Sequence, residues 1–487
     1  MRHRSDPGRA APVRIGQTAA MSNPGAELNA DTHRDLAALL EQWLPEQRWF
    51  AGKGRTLTAV VVSEVSTVPA ASAVAHVVVG VQLDGEIWQT YQVPVSVYSE
   101  PHAGLRLIGQ LSGGEFVYDA LSDPAAVRPL LSASETIPQV DPELTHSLDL
   151  ASGEHPAPTL QANVDPGAYL DLPVRPLGVE QSNTSVVLGD VALVKFFRML
   201  VPGINPDVDV HAALGVARCP NVGQILGWVN AGWRNPSDGH WVTGHTAMVQ
   251  ELLAPATEGR DLALARVANG ESFADEALEL GRATGAVHRD LRHVLPTHVL
   301  ADTEVSELVD RLRWRLDQAA AVVEELAPLV PALGERIDAL LTLDHPIEVQ
   351  RVHGDLHLQQ VMLADDGWKL LDFEGEPGSS MTARVTPDHA LRDVAGMLRS
   401  FAYASAQGGA NRSPDEVAAW LHDCEVAFLA GYAAGGLDAP GEDGVRADRA
   451  ILSAYLVDKA AYEAVYEKRN RPDWLPIPMA ALVELAG

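Results

Sequence analysis

The sequence predicts an α+β fold in which a β-rich first part precedes a large helical one. Valine-rich runs at 58–68 and 75–98, and two more from Val179 to Phe197, have the composition and spacing of strands. After Met248 the apolar residues switch to helical spacing, as Val394, Met397, Leu398 and Phe401 do at i, i+3, i+4 and i+7. A chain of 487 residues, 46% of them hydrophobic, is long enough to bury a large core and to divide into two to four units.

The opening stretch, MRHRSDPGRAAPVRIGQTAA, carries four arginines but no apolar run of the length a secretory signal needs. It reads as a disordered tail over 1–33, with Met21 as an alternative start. DLAALLEQW, from Asp35 to Trp43, then reads as a helix that Pro45 and Gly52 punctuate. Asp84 and Gly85 supply a hairpin turn between the Val-rich runs. These elements form an N-terminal α+β unit over 34–110. An intermediate segment and a second β-rich block follow over 111–253. The helical part covers 254–487, with segments such as ELGRATGAVHRDL, VSELVDRLRWRLDQAAAVVEEL and ILSAYLVDKAAYEAVYEKR. Between about 100 and 175, prolines and acidic residues interrupt short apolar runs, so this stretch is read only as a linker or further sheet elements.

A formal net charge of -29 repels polyanions, so neither nucleic acid nor an anionic membrane is expected as a partner. No 18-residue apolar segment offers a membrane span. Cys219 and Cys424 support neither a disulfide framework nor a thiolate metal site, which fits a reducing cytoplasm.

Chemistry concentrates in RVHGDLHLQQVMLADDGWKLLDFEGEP, from Arg351. The two short runs VML and WKLL, joined by ADDG, form a hairpin that carries Asp372 back beside Asp355 and Gln360. A carboxylate that receives a hydroxyl proton, next to oxygen ligands for a hard cation, is what phosphoryl transfer requires. Upstream, Ser182, Asn183, Thr184 and Ser185 form a small-residue turn whose backbone donors can approach phosphates, and Lys195 follows on a strand. Lys195 lies in VALVKFF, where a buried ammonium is costly without an anion; its alternative is an edge position with the amine in water. Asp207 and Asp209 open the next helix. Asp209 is the expected partner of Lys195, and Asp207, after Pro206, the expected helix cap. His357 stands two residues after Asp355 without a third ligand nearby, which favours a local hydrogen bond over zinc.

The spacing His353-x-Asp355-x4-Gln360, followed by Asp372-Phe373, resembles the catalytic motif of aminoglycoside phosphotransferases and the catalytic loop of protein kinases. That resemblance implies a bilobal protein-kinase-like fold with the first unit as a cap subdomain, and ATP with Mg2+ as cofactors. It makes Asp355 the catalytic base and Asp372 a metal ligand beside Gln360, which stands where the family usually has Asn. By analogy it puts Gln250 and Leu252 at the adenine hinge, and His353 and Asp393 as braces of the catalytic loop, a role preferred for Asp393 over capping its own helix.

WLPEQRWFAGKGR, EQSNTSVVLGD and YEAVYEKRNRPDWLPIP narrow the resemblance to the actinobacterial maltokinases and glucosamine kinases. Gln359 replaces a glycine usual in maltokinases, which places glucosamine ahead of maltose as the acceptor. Lys459, Tyr462, Glu463 and Tyr466 share one helical face. That face and Trp474 suit either a sugar or the core. His357 and Glu374 join them as candidate sugar contacts, and Glu374, Glu376 and Asp388 form either an acidic field for an ammonium-bearing sugar or a solvated face. The rival activities are maltose phosphorylation, aminoglycoside phosphorylation and an idle nucleotide-binding scaffold. Either a monomer or a homodimer fits.

Overall fold

A computed structural model describes residues 30–68, 73–132, 135–138, 159–178, 182–376, 380–436 and 442–487. The tail over 1–29, Met21 included, lies outside them, as do Val179, Glu180 and Gln181. Helix α1 (Ala30–Trp43) begins inside the stretch read as tail. It packs on β1 (Leu57–Thr67), the edge of a sheet built from β2 (Val74–Leu83), β3 (Ile87–Gln92), β4 (Val95–Tyr98), β5 (Leu107–Gln110) and β6 (Phe116–Asp119). β2 is buried at every position but Gln82, which is why valines and other apolar residues fill it on both faces, with His76 the one buried polar side chain. Asp84 and Gly85, both at positive φ, turn β2 into β3. The sheet runs on past residue 110, through the β5–β6 hairpin to Asp119. Leu36, Leu40, Trp49, Val79 and Tyr91 form its core.

Helix α2 (Pro124–Ser132), strands β7 (Glu135–Pro138) and β8 (Thr159–Ala162), helix α3 (Gly167–Leu170) and β9 (Val174–Pro176) occupy the stretch that sequence alone left open. The second sheet adds β10 (Thr184–Leu188) and β11 (Ala192–Phe196), the two runs around Gly189 and Asp190. A short strand, β12 (Met199–Leu200), then leaves this sheet and pairs with β3 of the first, stitching the two layers together. Helix α4 (Pro206–Ala217) leads to β13 (Ile225–Arg234) and β14 (Trp241–Glu251), completing the order β7-β8-β13-β14-β11-β10-β9.

β15 (Ala256–Glu258) carries the chain into the helical part, which begins with α5 (Gly259–Asn269) and α6 (Ala274–Val294). β16 (His298–Val299), α7 (Asp302–Val322), α8 (Val330–Asp338) and β17 (Glu348–Val349) follow. The hairpin β18 (Val361–Ala364) and β19 (Gly367–Leu370) pairs with β15 in a three-stranded sheet. The last helices are α9 (Met381–Val385), α10 (Leu391–Gly408), α11 (Pro414–Gly435), α12 (Glu442–Asn470) and α13 (Pro476–Ala486). Val394, Met397, Leu398 and Phe401 of α10 are all buried in one core with Phe273, Leu312 and Phe428. Among the described residues no helix is long and apolar enough to cross a membrane.

α6 and α11 approach so closely that their backbones touch where glycines face them. A Cβ on Gly431 would run into Leu278 O, and one on Gly281 into Phe428 O. This contact fixes α6, which carries His288 to the site described below. Gly431→Ala is expected to lower stability by about 1–3 kcal/mol through overpacking. An unchanged urea midpoint would refute that reading of the helix contact.

Candidate active site

The loop after β17 places the catalytic motif at the junction of the β-rich and helical parts. Gly354 adopts φ +83, and its α-carbon approaches Gly375 so closely that an added Cβ would sit 3.3 Å from it. Asp393 holds this loop. Its carboxylate accepts from His353 N (2.7 Å), Gly354 N (2.8 Å) and His288 Nε2 (2.9 Å). Burial pushes the Asp393 carboxyl up, but His288 and the backbone donor outweigh it and hold it below its ordinary value. Asp393 therefore acts as a brace, and Ala390 takes the helix-cap position. His353 is the second brace: Nε2 donates to Leu371 O at 2.7 Å, fastening the loop to the residue before Asp372.

Gln360 and Asp372 meet as the hairpin argument requires, and Asp355 is joined to them through His353, whose Nδ1 accepts from Asp355 N at 3.3 Å while its Nε2 reaches Leu371 O. Gln360 Nε2 donates to Asp372 Oδ2 at 3.1 Å, and Leu371 N donates to Gln360 O at 2.9 Å. Asp372 has the left-handed φ of 63, which turns the following residues back toward the β-rich part. Asp372 Oδ1 then meets Lys195 Nζ at 2.5 Å.

Lys195 is also paired with Asp207 Oδ2 (2.8 Å) and Glu374 Oε1 (2.8 Å). Burial lowers the ammonium's pKa, but the three carboxylates together raise it well above its usual range. The expected partner, Asp209, is not among them: it pairs with Arg351 NH2 at 3.4 Å. Residues two apart point to opposite sides of a helix, so α4 can offer only one of the pair to β11. Nor does Asp207 cap α4. Asn205 does, accepting from Asp207 N, while the buried Asp207 carboxylate also accepts from Phe373 N at 2.8 Å.

Glu374 likewise departs from expectation. It faces Lys195 and accepts from Asn183 Nδ2 at 2.6 Å, so it belongs to the Lys195 cluster and does not line the cavity described below. Burial pushes its carboxyl up, against the pull of Lys195, and Asp372 adds to the rise. Of the small-residue turn, Ser182 and Asn183 lie at the surface beside this cluster, and Ser185 sits opposite Lys195 in the β10–β11 pairing. Thr184 departs from the set: its hydroxyl is buried and accepts from Arg198 Nε at 2.8 Å, leaving only its backbone to the turn. Gln250, one residue before the end of β14, lies opposite Leu193, and Leu252 N donates to Val191 O, at the passage between the two parts.

Beyond Lys459 and His357, the two neighbours of the Asp355 carboxylate, opens a cavity of about 310 Å³. Lys459, Tyr462, Glu463 and Tyr466 of α12 all line it, as do His357, Gln359 and Trp474. Lys459 Nζ donates to Asp355 Oδ1 at 3.2 Å, and His357 Nε2 lies 3.8 Å from Oδ2. His357 Nδ1 accepts from Gln359 N, the local hydrogen bond expected in place of a zinc role. Burial pushes the Asp355 carboxyl up; Lys459 and His357 outweigh it and hold it below the usual aspartate value. Glu376 and Asp388 form neither an acidic field nor a solvated face: both are buried and matched by Arg392, at 3.6 and 3.0 Å. Sequence reasoning missed Arg260, Ser400, Tyr403, Gln407, Glu467 and Arg471, which also line the cavity. A signal for two of them existed, since Glu467 and Arg471 continue the α12 stripe at +4 and +8 from Glu463.

A lysine–carboxylate cluster at Lys195, and an aspartate held by two residues that line a cavity, are the features of an ATP-dependent phosphotransferase. Comparison with known proteins agrees. The maltokinase N-terminal cap domain matches residues 43–123, and the phosphotransferase enzyme family matches residues 239–447. A glucosamine kinase of Mycolicibacterium smegmatis is 30% identical over 329 residues, covering 64% of this chain and 79% of that protein. A glucosamine kinase of Streptacidiphilus jiangxiensis is also 30% identical, covering 63% of this chain and 72% of that protein. A solved glucosamine kinase, in complex with glucosamine, ADP and inorganic phosphate, shares the fold with a TM-score of 0.63 at 22% identity, over 93% of this chain and 98% of that one. The chain thus belongs to the glucosamine kinase family of ATP-dependent sugar phosphotransferases.

The tuning of Asp355 is testable through pH. Because Lys459 and His357 hold the carboxyl low, the base form persists to acid pH, and the acid limb of kcat/KM lies below the ordinary aspartate range. Lys459→Met leaves burial less opposed, so the carboxyl rises and the limb moves to higher pH. A limb that stays in place excludes Lys459 as the tuning group.

Proposed function

We propose that the protein transfers the γ-phosphate of ATP to a hydroxyl of glucosamine, giving glucosamine 6-phosphate, with Asp355 as the base. The observation that carries this reading is the contact of Asp355 with Lys459 and His357, both of which line the α12 cavity, on a loop that His353 fastens to the residue before Asp372. The acceptor hydroxyl donates its proton to Asp355, and its oxygen attacks the γ-phosphorus in line as the bond from that phosphorus to the β-phosphate oxygen breaks and ADP leaves. Lys459 and His357 orient the carboxylate, while Lys195, together with the Ser182–Asn183 turn, holds phosphate oxygens.

Asp372 and Gln360 would hold Mg2+. The donor set fits a hard cation: one ligand oxygen each from Asp207, Asp372 and Glu374 lie within 4.8 Å of one another, and a single ammonium leaves their charge unbalanced. When bound, the ion neutralises charge on the transferred phosphate. In the cavity, Tyr462, Tyr466 and Trp474 offer faces for a sugar ring, and Glu463 and Glu467 offer carboxylates for its ammonium. Glu463 is tied to the buried Arg399, whereas the partner of Glu467, Arg471, leaves 44% of its side chain exposed. Glu467 itself is buried and also accepts from Tyr403 Oη at 3.0 Å, so of this pair it is Arg471 that faces the open cavity. A cytoplasmic location suits the substrates.

The second reading is maltose, favoured by the match of the cap to a maltokinase domain. Phosphorylation of glucosamine, glucose, maltose and an aminoglycoside, with the phosphate position determined, separates the readings. Glucosamine is expected to give the highest kcat/KM, and a preference for maltose would replace the first reading with the second. Asp355→Ala should lower turnover by about 10²–10⁴-fold while ATP still binds, the range expected for loss of a general base. Near-wild-type turnover removes Asp355 from the mechanism.

A further inference from the structure

Three residues past Lys195, a second cation is buried away from the reaction centre. Arg198 is fully buried, and its NH2 pairs at 2.5 Å with Asp119, at the end of β6 in the first sheet. Its Nε donates to Thr184 Oγ1 at 2.8 Å, and the guanidinium lies 4.7 Å from the ring centroid of Trp49. Gln92 secures the same junction: its backbone N donates to Arg198 O at 2.9 Å and its Nε2 to Phe197 O at 2.6 Å.

Stability alone is a poor account of this arrangement. A buried ion pair gains little over apolar packing of the same shape. Here Arg198 NH1 also has no hydrogen-bond partner, which adds a desolvation cost. What the arrangement does fix is geometry. Thr184 is the first residue of β10, directly after the Ser182–Asn183 turn. Asn183 is anchored from the opposite side by Glu374, itself bound to Lys195. The turn is thus gripped at adjacent residues, by the reaction centre at Asn183 and by the cap at Thr184.

We propose that the chain Asp119–Arg198–Thr184 is a positioning device through which the cap sets the nucleotide-binding turn, an inference that rests on the reading of that turn as a phosphate contact. Arg198 and Thr184 touch no reacting atom. They orient the backbone that does.

Thr184→Val removes the acceptor of Arg198 Nε at nearly constant volume. The KM for ATP is expected to rise about ten-fold, the loss appropriate to one hydrogen bond to a charged group, with the KM for the sugar little changed. Thr184→Ser, which restores the hydroxyl, should bring the KM for ATP back toward the wild-type value. A lowered melting temperature with unchanged KM for ATP overturns the proposal and leaves Arg198 as a strut. Amide hydrogen exchange of the unmodified protein gives a test that needs no variant. ADP is expected to slow exchange at Asn183–Ser185 and also at Leu121, whose N–H donates to Asp119 Oδ1. Protection of the turn without Leu121 overturns the coupling alone, and protection of neither overturns the nucleotide reading of the turn as well.

Discussion

One ammonium among three carboxylates is the interaction on which the site depends. Lys195 comes from β11, Asp207 from α4, and Asp372 and Glu374 from the segment after β19. No one of these segments could keep its charge buried alone, because a lone buried ion costs several kcal/mol. Bringing them together satisfies the cation, while burial first, and then the neighbouring Asp372 and Asp207, raise the carboxyl of Glu374 against the pull of Lys195. The same contacts join the β-rich part to the helical one, with Asp207 accepting from Phe373 N and Asn183 from the turn reaching Glu374.

A second set of contacts holds Asp355 and is electrically different. Asp393, His288 and His353 fix the backbone of the loop by hydrogen bonds, and α6 delivers His288 because glycines let it pack tightly on α11. Around the cavity each carboxylate has a cation: Asp355 has Lys459, Glu463 has Arg399, and Glu467 has Arg471. Matched charges hold the lining in place without creating a strong field.

The parts legible in the sequence were those whose geometry is local. Gln360 and Asp372 are linked by a two-residue hairpin, so their spacing nearly determines their meeting. The α12 stripe follows from helical period alone. What escaped was the choice among partners far apart in sequence. Asp207 and Asp209 are equally acidic, and only the phase of α4 against β11 decides between them; with Asn205 already a capping residue and Pro206 at the first turn, the phase was partly written. Thr184 looked like one of four equivalent small residues, and its inward direction depends on Arg198 and on a cap residue, Asp119, 65 positions before it. Glu374 was assigned to the sugar because nothing local signals the left-handed turn at Asp372.

Two electrostatic regimes adjoin the loop that carries Asp355, which is joined to one through His353 and Leu371 and to the other through Lys459 and His357. On one side lies a cluster whose surplus of negative charge suits a divalent cation and repels bare phosphate. On the other lies a lining of matched pairs that a hydroxyl-bearing acceptor can enter without displacing a net charge. A base there must stay ionised while shielded from water. Burial alone would protonate it at higher pH, so the lysine supplied by α12 is a requirement of the location. That lysine comes from the helix that also lines the acceptor cavity, so the groups that shape the cavity and those that keep the base ionised cannot be varied independently.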